Sequence, residues 1–234
     1  IAPLWAEEAN QPAGDRPNFV IVLADDVSWS SFGCVDGGLY TRTPNIDKLA
    51  SEGLRFTNFM CSVAQCGPVR HELYTGLLPP TSGVYSNGSK PRGDYQNIAN
   101  YLGDLGYKVG LTGKTHFNVS DFHKIPGFES NGNHSAPAWK MSGVKQFIET
   151  SQSENKPFCV VVASVNAHHP WTVGDPSHFP LDQIVVPPHM VDTPVTRKAL
   201  AIHAAEVEVL DKQVGATIKL LDDLKLADNT VLIF

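Results

Sequence analysis

Phe19-Val20-Ile21-Val22-Leu23-Ala24 is an unbroken apolar run, and it ends in Asp25-Asp26. A strand with one wet face alternates apolar and polar residues. A run without polar residues belongs to a strand covered on both faces, as in parallel sheets. The two carboxylates then stand at the C-terminal end of such a strand, where open α/β sheets place ligands. Adjacent carboxylates repel; a hard cation with oxygen ligands relieves this best, and a solvated turn is the other outcome.

Outward from this strand the pattern repeats. Tyr107 to Leu111, Phe158 to Ser164 and Thr230 to Phe234 read as further strands, the last of them buried, and Leu54 to Met60 alternates as a strand would. Helices lie between them. Thr43 is placed to cap and Pro44 to open one with Ile46, Leu49 and Ala50 on its inner face, ending at Gly53. Ile98, Leu102 and Leu105 mark another, and from about Thr196 a long helix places Leu200, Ala204, Val207, Leu210, Val214, Ile218 and Leu221 at spacings of three and four. Its His203, Glu206 and Glu208 read as structural or solvated. Leu77 to Arg92 and Asn118 to Lys140 read as loops, with glycosylation sequons at Asn87, Asn118 and Asn133. Strands alternating with helices predict an α/β fold: a mostly parallel sheet with helices on both faces. No repeat or linker divides the chain.

Chemistry-bearing residues gather after the strands. Cys66-Gly67-Pro68-Val69-Arg70 opens a short helix closed by Gly76. Free amides and the dipole of a helix start favour an anion, and here a thiol and a guanidinium stand beside them. Gly113-Lys114-Thr115-His116 leaves a strand; in an extended segment Lys114 and His116 share a face, suiting a joint grip on an anion. Asn166-Ala167-His168-His169-Pro170 follows the strand after it.

The composition narrows the partners. The 234 residues carry a formal charge of -6, with 18 Lys and Arg against 24 Asp and Glu, and no basic run of the kind that binds nucleic acid. A polyanionic substrate must therefore meet a local cluster of cations. No stretch has the apolar length of a membrane span. The four cysteines form neither a disulfide framework nor a zinc pattern. Residues 1–15 read as the remnant of an export signal with an N-terminal tail, which predicts an exported (periplasmic, secreted or lysosomal) protein.

Five motifs in register carry a resemblance: Leu23-Ala24-Asp25-Asp26; Thr43-Pro44-Asn45-Ile46-Asp47 with Leu49-Ala50; Cys66-Gly67-Pro68-Val69-Arg70 with Thr75-Gly76; Gly113-Lys114-Thr115-His116; and Asn229-Thr230-Val231. From Arg16 to Phe234 the chain resembles the N-terminal part of the catalytic domain of sulfatases, in the alkaline phosphatase superfamily. Among them it is most similar to enzymes of sulfated sugars, heparan sulfamidases included. The resemblance implies hydrolysis of a sulfuric ester or sulfamate on a sulfated carbohydrate, with Cys66 oxidised to formylglycine by a separate generating enzyme. The hydrated aldehyde would attack sulfur, and its second hydroxyl would expel sulfate. Asp25 and Asp26, with the matured Cys66, would bind one divalent cation, Ca2+. Arg70 would hold the hydrate, Lys114 bridge hydrate and sulfate, His116 assist elimination, and His168 protonate the leaving group. His169 would be a pocket wall, and Cys34, Cys61 and Cys159 buried or paired.

The family's other two metal ligands and a substrate lysine lie beyond the strand that ends at Phe234, so the remaining C-terminal part is needed and this chain alone is expected to be inactive. Gly67 and Val69 fill places where serine is common. Two alternatives stand beside this reading: a phosphate or phosphonate ester hydrolase of the same superfamily, and a non-catalytic carbohydrate-binding relative that never receives the aldehyde.

Overall fold

A computed structural model describes residues 16–35, 40–126 and 141–234; the proposed tail at 1–15, the Asn133 sequon and most of the polar loop before Lys140 lie outside them. Five strands form one parallel sheet: β1 (Asn18–Leu23), β2 (Lys108–Gly113), β3 (His123–Lys124), β4 (Phe158–Ala163) and β5 (Thr230–Ile233), in the order β3-β2-β4-β1-β5. The all-apolar run forms β1, in register with β4 from Phe19 opposite Cys159 to Leu23 opposite Ala163. The helices are α1 (Pro44–Glu52), α2 (Cys66–Thr75), the single turn α3 (Pro79–Ser82), α4 (Ile98–Asp104), α5 (Ser142–Ser153) and α6 (Pro194–Asp223).

Both faces of the sheet are covered, as expected. On one face Val20 and Val22 of β1 and Phe158, Val160 and Val162 of β4 pack with Ile46 of α1, Phe147 and Ile148 of α5, and Val214 and Leu221 of α6. On the other, Val109, Leu111, Cys159 and Val161 pack with Tyr74 of α2 and Ala99 of α4. β4 is buried at every position because it lies between two strands and two helical layers.

Four expectations are corrected. Leu54 to Met60 forms no strand: no described strand pairs with it, and Leu54, Phe56, Phe59 and Met60 are exposed. β5 is not buried but lies at the edge of the described sheet, with Val231 and Ile233 exposed. Thr43 makes no side-chain cap to α1. Instead Asp211 of α6 reaches across, its Oδ1 accepting the N–H groups of Asn45 and Ile46 at 2.9 Å each and its Oδ2 accepting Asn45 Nδ2 at 2.7 Å. A buried carboxylate thus takes the amides the first helical turn leaves unpaired. Finally, all four cysteines are free: Cys159 is buried as expected and Cys34 partly so, but Cys61 is exposed and thus neither buried nor paired.

Helix α5 was not legible in the sequence, although Val144, Phe147 and Ile148 have helical spacing. It is entered through a close approach: a Cβ at Gly143 would stand 1.9 Å from the Pro126 carbonyl oxygen. Gly143→Ala therefore forces a backbone shift, with an expected loss of about 1–3 kcal/mol. Chemical denaturation checks this; an unchanged midpoint would mean that the approach is not constraining.

Candidate functional site

Parallel strands deliver their following loops to one edge of the sheet, and backbone bonds lace those loops together. The Ser164 N–H donates to Leu23 O at 2.8 Å, Lys114 N–H to Ala163 O at 2.9 Å and Asp25 N–H to Asn166 O at 3.1 Å. Helix α2 arrives at the same edge with Cys66 as its first residue; Gly76, at φ +72°, ends it in the left-handed region glycine occupies without strain. The Gly67 N–H donates to Asn87 Oδ1 at 2.7 Å, so one amide of the helix start is already taken. A Cβ at residue 67 would stand 2.9 Å from that oxygen, which gives the unusual glycine a local reason. Asn87, legible only as a sequon, is thus a structural contact of the Cys66 turn.

Four of the expected residues meet here. Asp25, with 3% of its surface exposed, lies between two cations: Lys114 Nζ at 2.5 Å from Oδ2 and Arg70 Nη2 at 3.4 Å from Oδ1. Arg70, 2% exposed, also donates from Nη1 to the Lys114 carbonyl at 2.9 Å. Lys114 Nζ lies 3.6 Å from Cys66 Sγ. The repulsion of Asp25 by its neighbour is therefore offset by protein cations, with two positive groups around one negative group beside the sulfur. Asp26 is exposed and backbone-strained at φ +56°. Among the described residues no three of His, Cys, Asp and Glu are grouped to hold a metal. Asp25 and Asp26 fall short of the roughly six to eight oxygens calcium takes, so they do not form a cation site by themselves.

The histidines are placed differently. The segment after β2 is not extended: Gly113 has φ +89° and His116 φ +46°. The shared-face argument for Lys114 and His116 fails for that reason, since the pleat ends at Gly113. Lys114 turns inward, whereas His116 is exposed on the wall of a cleft of about 640 Å3, which Gly67, His71, Asn87, Tyr95 and Asp121 also line. Burial holds the His71 imidazole below its ordinary pKa. His168 is half-buried in the loop after β4, its N–H donating to Val165 O at 3.0 Å and its Nδ1 to His169 O at 2.5 Å. A carbonyl only accepts, so Nδ1 carries a proton and Nε2 is the nitrogen that exchanges one. The His169 ring packs on Trp171 at 5.7 Å.

Of the polar residues read as structural or solvated on α6, Glu208 is largely covered and paired with Arg42, His178 and Lys212. His203 is buried, with Nδ1 3.2 Å from Tyr40 Oη and its ring 5.0 Å from that of Trp171. Burial pushes its imidazole down from 6.5 to about 4, against a smaller opposite pull from Asp26. An unfolded chain binds this proton near pH 6.5, and the folded one not until about pH 4. Stability is therefore full above that window and declines as pH falls through it, by about 3 kcal/mol in all. His203→Phe is expected to flatten this part of a stability–pH curve from urea unfolding; an unchanged slope would contradict the assignment.

The match to a known family is extensive. Residues 17–234 match the family model "Sulfatase". The chain is 27% identical over 236 residues to an ulvan-active sulfatase of Formosa agariphila, covering 97% of this chain and 45% of that protein. It thus spans about half the length of that relative. Among solved structures it is similar to one in complex with its substrate D-glucosamine-2-N,6-O-disulfate, at TM-score 0.73 and 18% identity, covering 93% of this chain and 64% of the other. It is also similar to a phosphonate monoester hydrolase of Agrobacterium radiobacter, at TM-score 0.69 and 18% identity, covering 93% and 61%. These two likenesses establish the shared parallel-sheet fold. With the family model matched from the residue before β1 to the last residue of the sequence, the chain belongs to the sulfatase family.

Proposed function

We propose that the protein of which this chain forms the N-terminal catalytic part is a sulfuric ester hydrolase of sulfated carbohydrates, with residue 66 as its nucleophile. The observation that carries this reading is the placement of Cys66 Sγ, at a helix start, 3.6 Å from Lys114 Nζ and beside the buried Asp25–Arg70–Lys114 cluster. Oxidised to formylglycine and hydrated, this position would supply one hydroxyl to attack sulfur and a second whose deprotonation releases sulfate. The residues present fit that group: a hydroxyl in place of Sγ stands within reach of an ammonium held by Asp25.

Each side chain then has a task set by its place. Lys114 neutralises charge at the nucleophile and on a sulfate oxygen. Arg70, held by Asp25 and by the Lys114 carbonyl, fixes that lysine and adds positive charge. Preorganised cations lower the energy of an anionic transition state because they need no reorientation as charge develops. His168, with Nδ1–H engaged, gives a proton from Nε2 to the leaving oxygen or nitrogen as its bond to sulfur breaks. His116 stands on the cleft wall, from which it would take a proton during sulfate release. Asp25 and Asp26 would supply two oxygen ligands to a divalent cation such as Ca2+. The hydrated residue 66 would add a further oxygen, more are needed to complete the shell, and no step here passes through the cation.

The substrate class follows the ulvan-active and disulfated-glucosamine relatives. Export is consistent with polysaccharide substrates, and among the described residues no helix is long and apolar enough to cross a membrane. The phosphonate hydrolase likeness supports a second reading in which phosphorus replaces sulfur. Two measurements on the complete protein from its natural host decide: a peptide mass map at Cys66 and parallel turnover of 4-nitrophenyl sulfate, 4-nitrophenyl phosphate and a phosphonate monoester. An aldehyde at residue 66 and preference for sulfate support the proposal; an intact thiol or preference for phosphorus would sink it.

A further inference from the structure

The loop carrying His168 is organised by a group that the mechanism above does not use. Glu206 of α6 is fully buried. Its Oε2 accepts Asn166 Nδ2 at 2.5 Å, and its Oε1 accepts the N–H groups of Thr172 at 2.6 Å and Val173 at 2.9 Å. One carboxylate therefore gathers both ends of segment 166–173, with His168 between them. Asn166 is fixed on its other sides too: its Oδ1 accepts Gln213 Nε2 at 2.8 Å, its N–H donates to Ser164 Oγ at 2.9 Å, and Ser164 Oγ donates to Gln213 Oε1 at 2.8 Å. Its carbonyl accepts the Asp25 N–H at 3.1 Å, so the same unit joins the His168 loop to the Asp25 turn. All three of these partners of Glu206 are donors. The position thus suits a group that only accepts; a glutamine there would set its own NH2 against at least one buried donor.

We propose that Glu206 is a positioning residue for leaving-group protonation, holding His168 at a set distance from the Asp25–Lys114–Cys66 cluster. This rests on the reading of His168 as the proton donor. The contribution is geometric. A general acid works only within hydrogen-bond reach of the atom it protonates, and a small displacement costs it most of its effect.

The test uses the complete, matured protein and a graded set of aryl sulfates. 4-Nitrophenolate departs without a proton, whereas 4-methoxyphenolate needs one. Glu206→Gln is expected to lower kcat on 4-methoxyphenyl sulfate by about 10–100-fold and on 4-nitrophenyl sulfate by less than about threefold, with KM little changed. Glu206→Asp, which keeps the acceptors, is expected to recover part of the loss. Equal loss on both substrates would overturn the proposal, because general loosening of the fold carries no dependence on the leaving group. His168→Ala is measured alongside. If it loses activity selectively and Glu206→Gln does not, Glu206 alone is wrongly assigned; if His168→Ala is itself unselective, the reading of His168 falls and the proposal with it. Should Glu206→Gln not fold, Asn166→Ala removes the amide that Glu206 grips, and the same selective loss supports the proposal while a uniform loss overturns it.

Discussion

Asp25→Ala is expected to lower the unfolding free energy by about 3–5 kcal/mol, the cost typical of breaking a buried ion pair by deleting one partner. Arg70 and Lys114 have side chains 2% and 5% exposed, and both point at this carboxylate. Without it, two cations share a site that water barely reaches, and their mutual repulsion is added to their desolvation. For a domain of this size each kcal/mol lowers the melting temperature by roughly 2–4 °C. Asp25→Asn should cost less, because the amide oxygen still accepts one bond although the charge is gone. The double variant Asp25→Ala/Lys114→Met should recover part of the loss by removing one of the stranded charges. A cost below about 1 kcal/mol for Asp25→Ala would mean that water reaches the cluster and that Asp25 is not its counter-ion.

Cys66→Ser is expected to reduce turnover of an aryl sulfate by the complete protein by at least about 10³-fold, within the range seen when a nucleophile is removed from a preorganised site. The residual behaviour is the more specific result. A serine hydroxyl beside Lys114 can still attack sulfur once, but the ester it forms has no second hydroxyl with which to expel sulfate. One sulfo group per chain should accumulate, in a single burst, on the peptide containing residue 66. Cys66→Ala should show neither burst nor label. Repeated turnover by the serine variant would show that the second hydroxyl is dispensable, and with it the case for formylglycine.

The elements that the sequence made legible are those whose signal is local. β1, β4 and α6 each carry an uninterrupted pattern, apolar throughout or spaced at three and four, and such patterns depend on residues within one or two turns of each other. Leu54 to Met60 shows the limit: alternation is necessary for a half-buried strand, but a strand forms only against a neighbour, and no described strand lies beside this segment. The cap on α1 failed similarly. Thr43 stands where a cap belongs, yet the first-turn amides go to Asp211, which is 166 residues from Asn45 and offers a stronger, charged acceptor. Glu206 was open to either a structural or a solvated reading because the donors that reach its carboxylate from the His168 loop are 33 to 40 residues away.

The sequence by itself determined the parallel α/β architecture and the set of chemical groups at the loops after its strands, since periodicity, helix stops and motif spacing are properties of neighbouring residues. Only the tertiary structure decided which of those groups meet. Asp25 is 89 residues from Lys114, and Arg70 is 44 from the carbonyl it binds. Their convergence arises because parallel strands send their C-terminal ends to one edge, and because two buried cations and one carboxylate are more stable together than any is apart. His116 shows the same point in reverse: the chain leaves the pleat at Gly113, at φ +89°, and His116, itself at φ +46°, stands exposed on the cleft wall and not in the buried cluster.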